Sequence, residues 1–254
     1  MIVIAGKEMY QADFDSLFDA NSMEMKIISI LVSSSHRYYY DSLDQLKFEL
    51  RLRREIIAAS YELYKSGMGF AVFRKTKCNP AYWDRAQDGG FVMRNDVKAS
   101  DAILDIFKNG SKYSTECATA MMIVYYKALL NVYPEDLFNK TFTKIELMNW
   151  HRIDRLLREV GSMAKRNDYL PADRRYFINP DVDPLTPHWQ GENVIDLGNG
   201  LYYGHGIGIQ NAEGIIKALN RNRIEGADES ARLLDSAGRP DFKKLADVYL
   251  RYSP

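Results

Sequence analysis

The chain has very little cysteine, no excess charge of either sign and no long apolar run. Its 254 residues hold only Cys78 and Cys117. That is too few for a disulfide framework and fits a reducing compartment; a single bridge between the two stays open. Lys+Arg 34 balances Asp+Glu 34, for a formal net charge of +0, which argues against nucleic acid as a partner. No stretch approaches the roughly 20 apolar residues of a membrane span, so no membrane partner is expected. The opening MIVIAGKEMY breaks at Lys7 and Glu8 and lacks the basic start of a secretory signal. Cytosolic synthesis without export is the expectation. Metal signatures are missing as well: there is no HExxH, no CxxC and no calcium-loop spacing. GNGLYYGHGIG is glycine-rich but lacks a phosphate-loop lysine. No cofactor and no metal are expected.

What is present is ordinary globular composition, 46% hydrophobic and 27% charged. Without repeats or linkers, a single domain over residues 1–254 is the economical reading. Met1 to Ala5 reads as a short edge strand. Ser42 and Gln45 fit a capping box ahead of a long helix that stops at Gly67. A strand is expected over Gly69 to Lys75, then a hairpin about Asp88-Gly89-Gly90, a helix over Ala99 to Asn109, and strands near Thr143 to Met148 and Arg174 to Ile178. The charged stretch from Arg152 to Asp173 reads as loop with some helix. A hairpin turning at Asn199-Gly200 and three short helices between Asn211 and Arg251 complete the chain. Helices and hairpins are segregated, which points to an α+β fold.

The stretch YSTECATAMMIVYYKALL, Tyr113 to Leu130, organises the rest. Ala118, Met121, Met122, Tyr125, Ala128 and Leu129 recur at helical spacing and mark a core helix. With Thr115 as N-cap, Cys117 falls at the second helical position, where unpaired N–H groups and the macrodipole favour negative charge. A thiol there is expected to have a lowered pKa. A lone cysteine in an apolar helix is, equally, an ordinary small buried residue, so its chemistry depends on what reaches it.

Acyl chemistry on sulfur needs a proton-handling partner and oxyanion donors. The helix-start amides are natural donors. Four histidines are available: His36, His151, His188 and His205. A two-residue Asn199-Gly200 turn sets Val194 opposite His205, so that Glu192, Asp196 and His205 share a face. Glycines at 204, 206 and 208 leave that backbone open to close approach. Glu116, beside the sulfur, first of all matches the helix dipole. Spacing alone supports a cysteine acyltransferase or hydrolase.

The motifs FELRLRREIIAAS (48–60), AYWDRA (81–86), YSTECATAMMIVYYKALL, Asn149-Trp150-His151, YFINP (176–180) and WQGENVIDLG through GHGIGI together resemble one family. It is the small protein-glutamine gamma-glutamyltransferases of spore-forming bacilli. The resemblance implies a papain-like, NlpC/P60-type core, with a nucleophile-bearing helix packed on an antiparallel sheet. It implies that Cys117 is the nucleophile, Glu192 the principal acid–base partner, Glu116 a second, partly redundant carboxylate and His205 a supporting residue. Trp150 and Trp189 match aromatics of a substrate channel, with Phe70 and Tyr176 as further candidate walls. Expected partners are protein glutamine donors and lysine acceptors among spore-coat proteins, with the coat as the place of action and no calcium requirement. Cys78 and Asp196 have no counterpart role.

Overall fold

The computed structural model describes residues 1–252. In chain order its elements are β1 (Ile2–Ile4), β2 (Lys7–Met9), α1 (Met23–Ser33), β3 (Tyr38–Tyr40), α2 (Leu43–Lys65), β4 (Gly69–Phe70), β5 (Trp83–Arg85), β6 (Phe91–Met93), α3 (Ala99–Lys108), β7 (Ser114–Thr115), α4 (Cys117–Val132) and α5 (Glu135–Thr141). There follow β8 (Glu146–Leu147), β9 (Arg174–Ile178), β10 (Gly191–Asp196), β11 (Leu201–Gly204), β12 (Gly208–Asn211), α6 (Ala212–Asn220), β13 (Arg232–Leu233) and α7 (Phe242–Leu250). The fold is mixed α and β.

Helix α4 is the axis of the molecule. Every residue from Ala118 to Leu129 is buried, as expected for a helix that is apolar all round. It packs against α2 and β10. β10 in turn lies inside a five-stranded antiparallel sheet ordered β12-β11-β10-β9-β13. Helix α4 is therefore held between a long helix and a sheet.

Helix α2 begins as its sequence signals: the Ser42 hydroxyl accepts from the Gln45 N–H at 3.2 Å. The Gln45 amide oxygen accepts from Asp41 rather than from Ser42 (2.9 Å). At its far end Gly67 takes φ +78°, the left-handed stop that glycine accepts most readily. In mid-helix, Arg53 is fully buried. It donates to Glu49 at 2.8 Å and to Asp173 at 3.0 Å, while Arg239 grips the same Asp173 at 2.7 and 2.8 Å. This network ties α2 to the entrance of β9 and to the segment before α7.

Several expectations are corrected. β1 is the centre of a small sheet ordered β2-β1-β3, not an edge, because Ile2, Val3 and Ile4 are all buried. Only Gly69–Phe70 of the 69–75 stretch is strand, and Phe73–Lys75 is a short 3-10 turn. After Asn211 there are two helices and the short strand β13, where three helices were expected. The β10–β11 hairpin turns through three residues, Gly198 to Gly200, with the Leu197 N–H donating to the Leu201 carbonyl at 2.9 Å. Gly198 and Gly200 both have positive φ, and the Asp196 carboxyl accepts from the Gly198 N–H. Val194 therefore pairs with Gly204, one residue away from the expected His205. A one-residue slip reverses the faces, so Glu192 and His205 do not share one.

Candidate active site

Residues Ser114–Thr115 are strand, pairing parallel with β4, so the helix cap falls later than expected. Glu116 is the N-cap and Cys117 the first helical residue. The Glu116 carboxylate accepts from the Ala118 N–H at 2.5 Å and the Thr119 N–H at 2.7 Å, and from the Thr119 hydroxyl. Of the helix-start amides proposed as oxyanion donors, those two are therefore taken, which leaves the Cys117 N–H.

The thiol lies at the floor of a cleft of about 860 Å³. Glu116 and Ala118 flank it in sequence, and Trp150, Tyr176, Phe70 and His188 also line the cleft. The Phe70 and His188 rings lie 6.0 Å apart. Trp189 does not line the cleft; it packs on the cluster of Phe177, Val194, Ile215 and Leu219. Asn149 takes φ 48°, an uncommon conformation for a non-glycine residue. Its N–H donates to the Thr119 hydroxyl at 2.8 Å and its side-chain oxygen accepts from the Trp150 N–H at 2.6 Å. Through that corner the Trp150 wall is tied back to the capped helix.

The expected lowering of the thiol pKa is reversed. Burial, then the charges of Glu192 and Glu116, push Cys117 well above an ordinary thiol, against hydrogen bonding from Asn193. The helix start is outweighed first by burial and then by the two carboxyls that share its surroundings. Glu192 is also raised well above the usual carboxyl range, first by burial and then by Glu116. Its Oε1 is buried without a hydrogen-bond partner. For Glu116 burial raises the pKa, while the Thr119 hydroxyl and the two amides oppose the rise. One acid is committed to the helix, and the other keeps a free oxygen.

His205 is not among the residues that line the cleft. Its Nε2 lies 3.0 Å from the Gly69 carbonyl and its Nδ1 lies 3.1 Å from the Tyr203 hydroxyl. A carbonyl only accepts, so Nε2 carries the proton and Nδ1 accepts from Tyr203. Burial lowers its pKa to about 4, against backbone hydrogen bonds at Gly69 and Thr115. The ring is a neutral clamp fastening β4 beside β11. The surrounding glycines do admit close neighbours: a Cβ on Gly206 would fall 2.8 Å from the Phe70 ring. Asp196 closes the neighbouring turn. Cys78 and Cys117 are both free, and Cys78 points its sulfur at the Trp83 carbonyl, 3.6 Å away. His36 and His151 are exposed and do not line the cleft.

Sequence reasoning passed over Asn193 and Arg174. The Asn193 Nδ2 lies 3.5 Å from the Cys117 sulfur, and its Oδ1 accepts from Arg174 at 2.6 Å. A buried asparagine on a central strand is itself a signal that its amide has a task.

A partly accessible thiol at a capped helix start, opening on an aromatic-walled cleft beside a buried acid, belongs to an enzyme that moves acyl groups through cysteine. Residues 1–249 match the family model described as protein-glutamine gamma-glutamyltransferase. Proteins of that name from Bacillus mycoides (strain KBAB4) and Bacillus cereus (strain G9842) are 40% and 41% identical over 254 residues. The match covers 100% of this chain and 90% and 91% of theirs. The structure of a transglutaminase from Geobacillus stearothermophilus without its C-terminal extension aligns with TM-score 0.77 at 47% identity, covering 84% of this chain and 100% of that one. The chain belongs to the protein-glutamine gamma-glutamyltransferase family, cysteine acyltransferases that join proteins through isopeptide bonds.

Proposed function

We propose that Cys117 and Glu192 carry out the transfer as a neutral thiol–acid pair, with Glu116 serving as the helix cap. The observation that carries this is the contrast between the two carboxyls. Glu116 spends its oxygens on Ala118 and Thr119, whereas buried Glu192 keeps Oε1 free. In the first half-reaction the sulfur attacks the side-chain carboxamide of a protein glutamine. Glu192 delivers its proton to the departing nitrogen and recovers one from the thiol on its other oxygen. An S–C bond forms, the C–N bond breaks and ammonia leaves, so atoms and protons balance. In the second, a neutral lysine amine attacks the thioester carbonyl, its proton returns to the sulfur through Glu192, and the isopeptide is released. The Cys117 N–H is available to the carbonyl oxygen in both steps.

Phe70, Trp150 and Tyr176 line the approach. A dry aromatic passage favours a lysine side chain over water at the thioester, which separates transfer from hydrolysis. The core of this reading is papain-like, supported by α4 packing against β10 with its cysteine at the first position, and the whole chain acts as one catalytic domain. The family resemblance extends it to spore-coat proteins as donors and acceptors, action in the coat, and no need for calcium.

Incubation with a glutamine-bearing protein and a fluorescent amine in the presence of a chelator tests this reading. Incorporation that disappears in Cys117→Ala and falls at least about a hundredfold in Glu192→Gln supports it. Ammonia release without incorporation points to hydrolysis instead, and full activity of Glu192→Gln removes the acid from its role.

A further inference from the structure

Arg174 is a buried guanidinium with no carboxylate within 4.0 Å among the described residues. Its neighbour Asp173 is occupied by Arg53 and Arg239. The charge of Arg174 is met only by oxygens and a ring: it donates to the Val160 carbonyl at 2.8 Å, to the Ser162 carbonyl at 3.3 Å and to Asn193 Oδ1 at 2.6 Å. It also stacks over Trp150 with its central carbon 4.4 Å from the ring centroid. A buried cation without a counter-ion is costly, and here it lines the reactive cleft.

The chemistry of the pair fixes what the asparagine presents. A guanidinium has donors only, so the amide edge facing Arg174 must be its oxygen. The N–H edge is then compelled to face Cys117, where Nδ2 lies 3.5 Å from the sulfur. Rotating the amide would set N–H against N–H at the guanidinium and an oxygen against the sulfur. We propose that Arg174 is a positioning residue for the acyl transfer, holding Asn193 with its N–H edge on the sulfur so that negative charge developing there meets a donor. The same bond polarises the amide, so the cation answers the Glu116 carboxylate, which opposes that charge. Tyr176, on the wall beside them, contributes a neutral phenol, its pKa raised to about 12 by burial and by the neighbouring thiol and Glu192. The inference deepens the proposed function and rests on Cys117 being the nucleophile.

Asn193→Asp is the decisive variant, made beside Cys78→Ser so that one thiol reports. An aspartate keeps the acceptor that Arg174 needs and turns an acceptor toward the sulfur in place of the donor. Iodoacetamide alkylation of Cys117 should slow about tenfold at each alkaline pH, and kcat for a glutamine donor should fall about a hundredfold with KM changed less than about twofold. Arg174→Met should lower kcat in the same manner and Arg174→Lys should recover part of it, whereas a role confined to anchoring the loop at Val160 and Ser162 leaves the alkylation profile unmoved. If Arg174→Met does not fold, Asn193→Asp decides alone. Wild-type alkylation and kcat in Asn193→Asp overturn the inference. Absence of a Cys117 thioester in the wild type overturns the reading beneath it instead.

Discussion

Glu192 packs its carboxyl over the bare backbone of Gly204: a Cβ there would fall 2.9 Å from both Cγ and Oε1 of the acid. Gly204→Ala should therefore displace the acid without touching substrate. A shift of roughly 1 Å at such a group costs about a hundredfold in rate. We expect kcat to fall by that order with the donor KM nearly unchanged, and with a modest loss of melting temperature. Steady-state kinetics beside a thermal melt will check it; wild-type kcat in a folded Gly204→Ala protein contradicts the placement of Glu192.

The two carboxyls should separate by what they lose. Glu116→Gln leaves one acceptor oxygen for the Ala118 and Thr119 amides and sets an NH2 where the other oxygen stood, and loss of an N-cap costs about 1 kcal/mol. Its unfolding midpoint should drop while kcat falls less than in Glu192→Gln. Glu192→Gln should show the opposite pattern, and urea titration with activity measured on the same preparations will show which residue is which.

Stability should be squeezed from both ends of the pH scale. The pKa of buried His205 is lowered from 6.5 to about 4, so the unfolded chain binds more protons between those values and stability falls as pH drops through them. The contribution at stake is on the order of 3 kcal/mol. The pKa of Glu192 is raised above its ordinary 4.5, so its share is full below that value and is lost as pH rises through the folded one. Urea midpoints of Glu192→Gln should gain on those of the wild type by a margin that grows as the pH rises above the ordinary carboxyl value. A constant margin contradicts the raised pKa.

Arg53→Met leaves Glu49 and Asp173 short of a buried partner, although Arg239 still holds Asp173. Breaking one side of such a cluster costs about 3–5 kcal/mol. Pairing it with Glu49→Leu should recover a large part, because the uncompensated charge on α2 goes with it. Chemical denaturation of the single and double variants will measure the difference.

The elements of the fold were legible where one local rule decided them. The Ser42 cap, the Gly67 stop and the apolar run of α4 each follow from short-range chemistry, and all three lie where expected. The hairpin register was not legible, because Asn199-Gly200 fits a two-residue turn as well as the three-residue one that Gly198 and Asp196 impose. That single slip removed His205 from the acid's face. The thiol shows the same limit: helix position is local and argues for a lowered pKa, but burial and Glu192 come from residues far along the chain. Arg174 and Asn193 escaped notice for a related reason, since their pairing exists only once two strands align.

The most direct test is a mass spectrum of the enzyme quenched in acid within one turnover on a glutamine peptide, without added amine. The account predicts an adduct on Cys117 equal to the peptide less one ammonia, discharged by a lysine analogue to give the isopeptide. Isopeptide formed with Cys117 never acylated, or an adduct carried by Cys78, contradicts it.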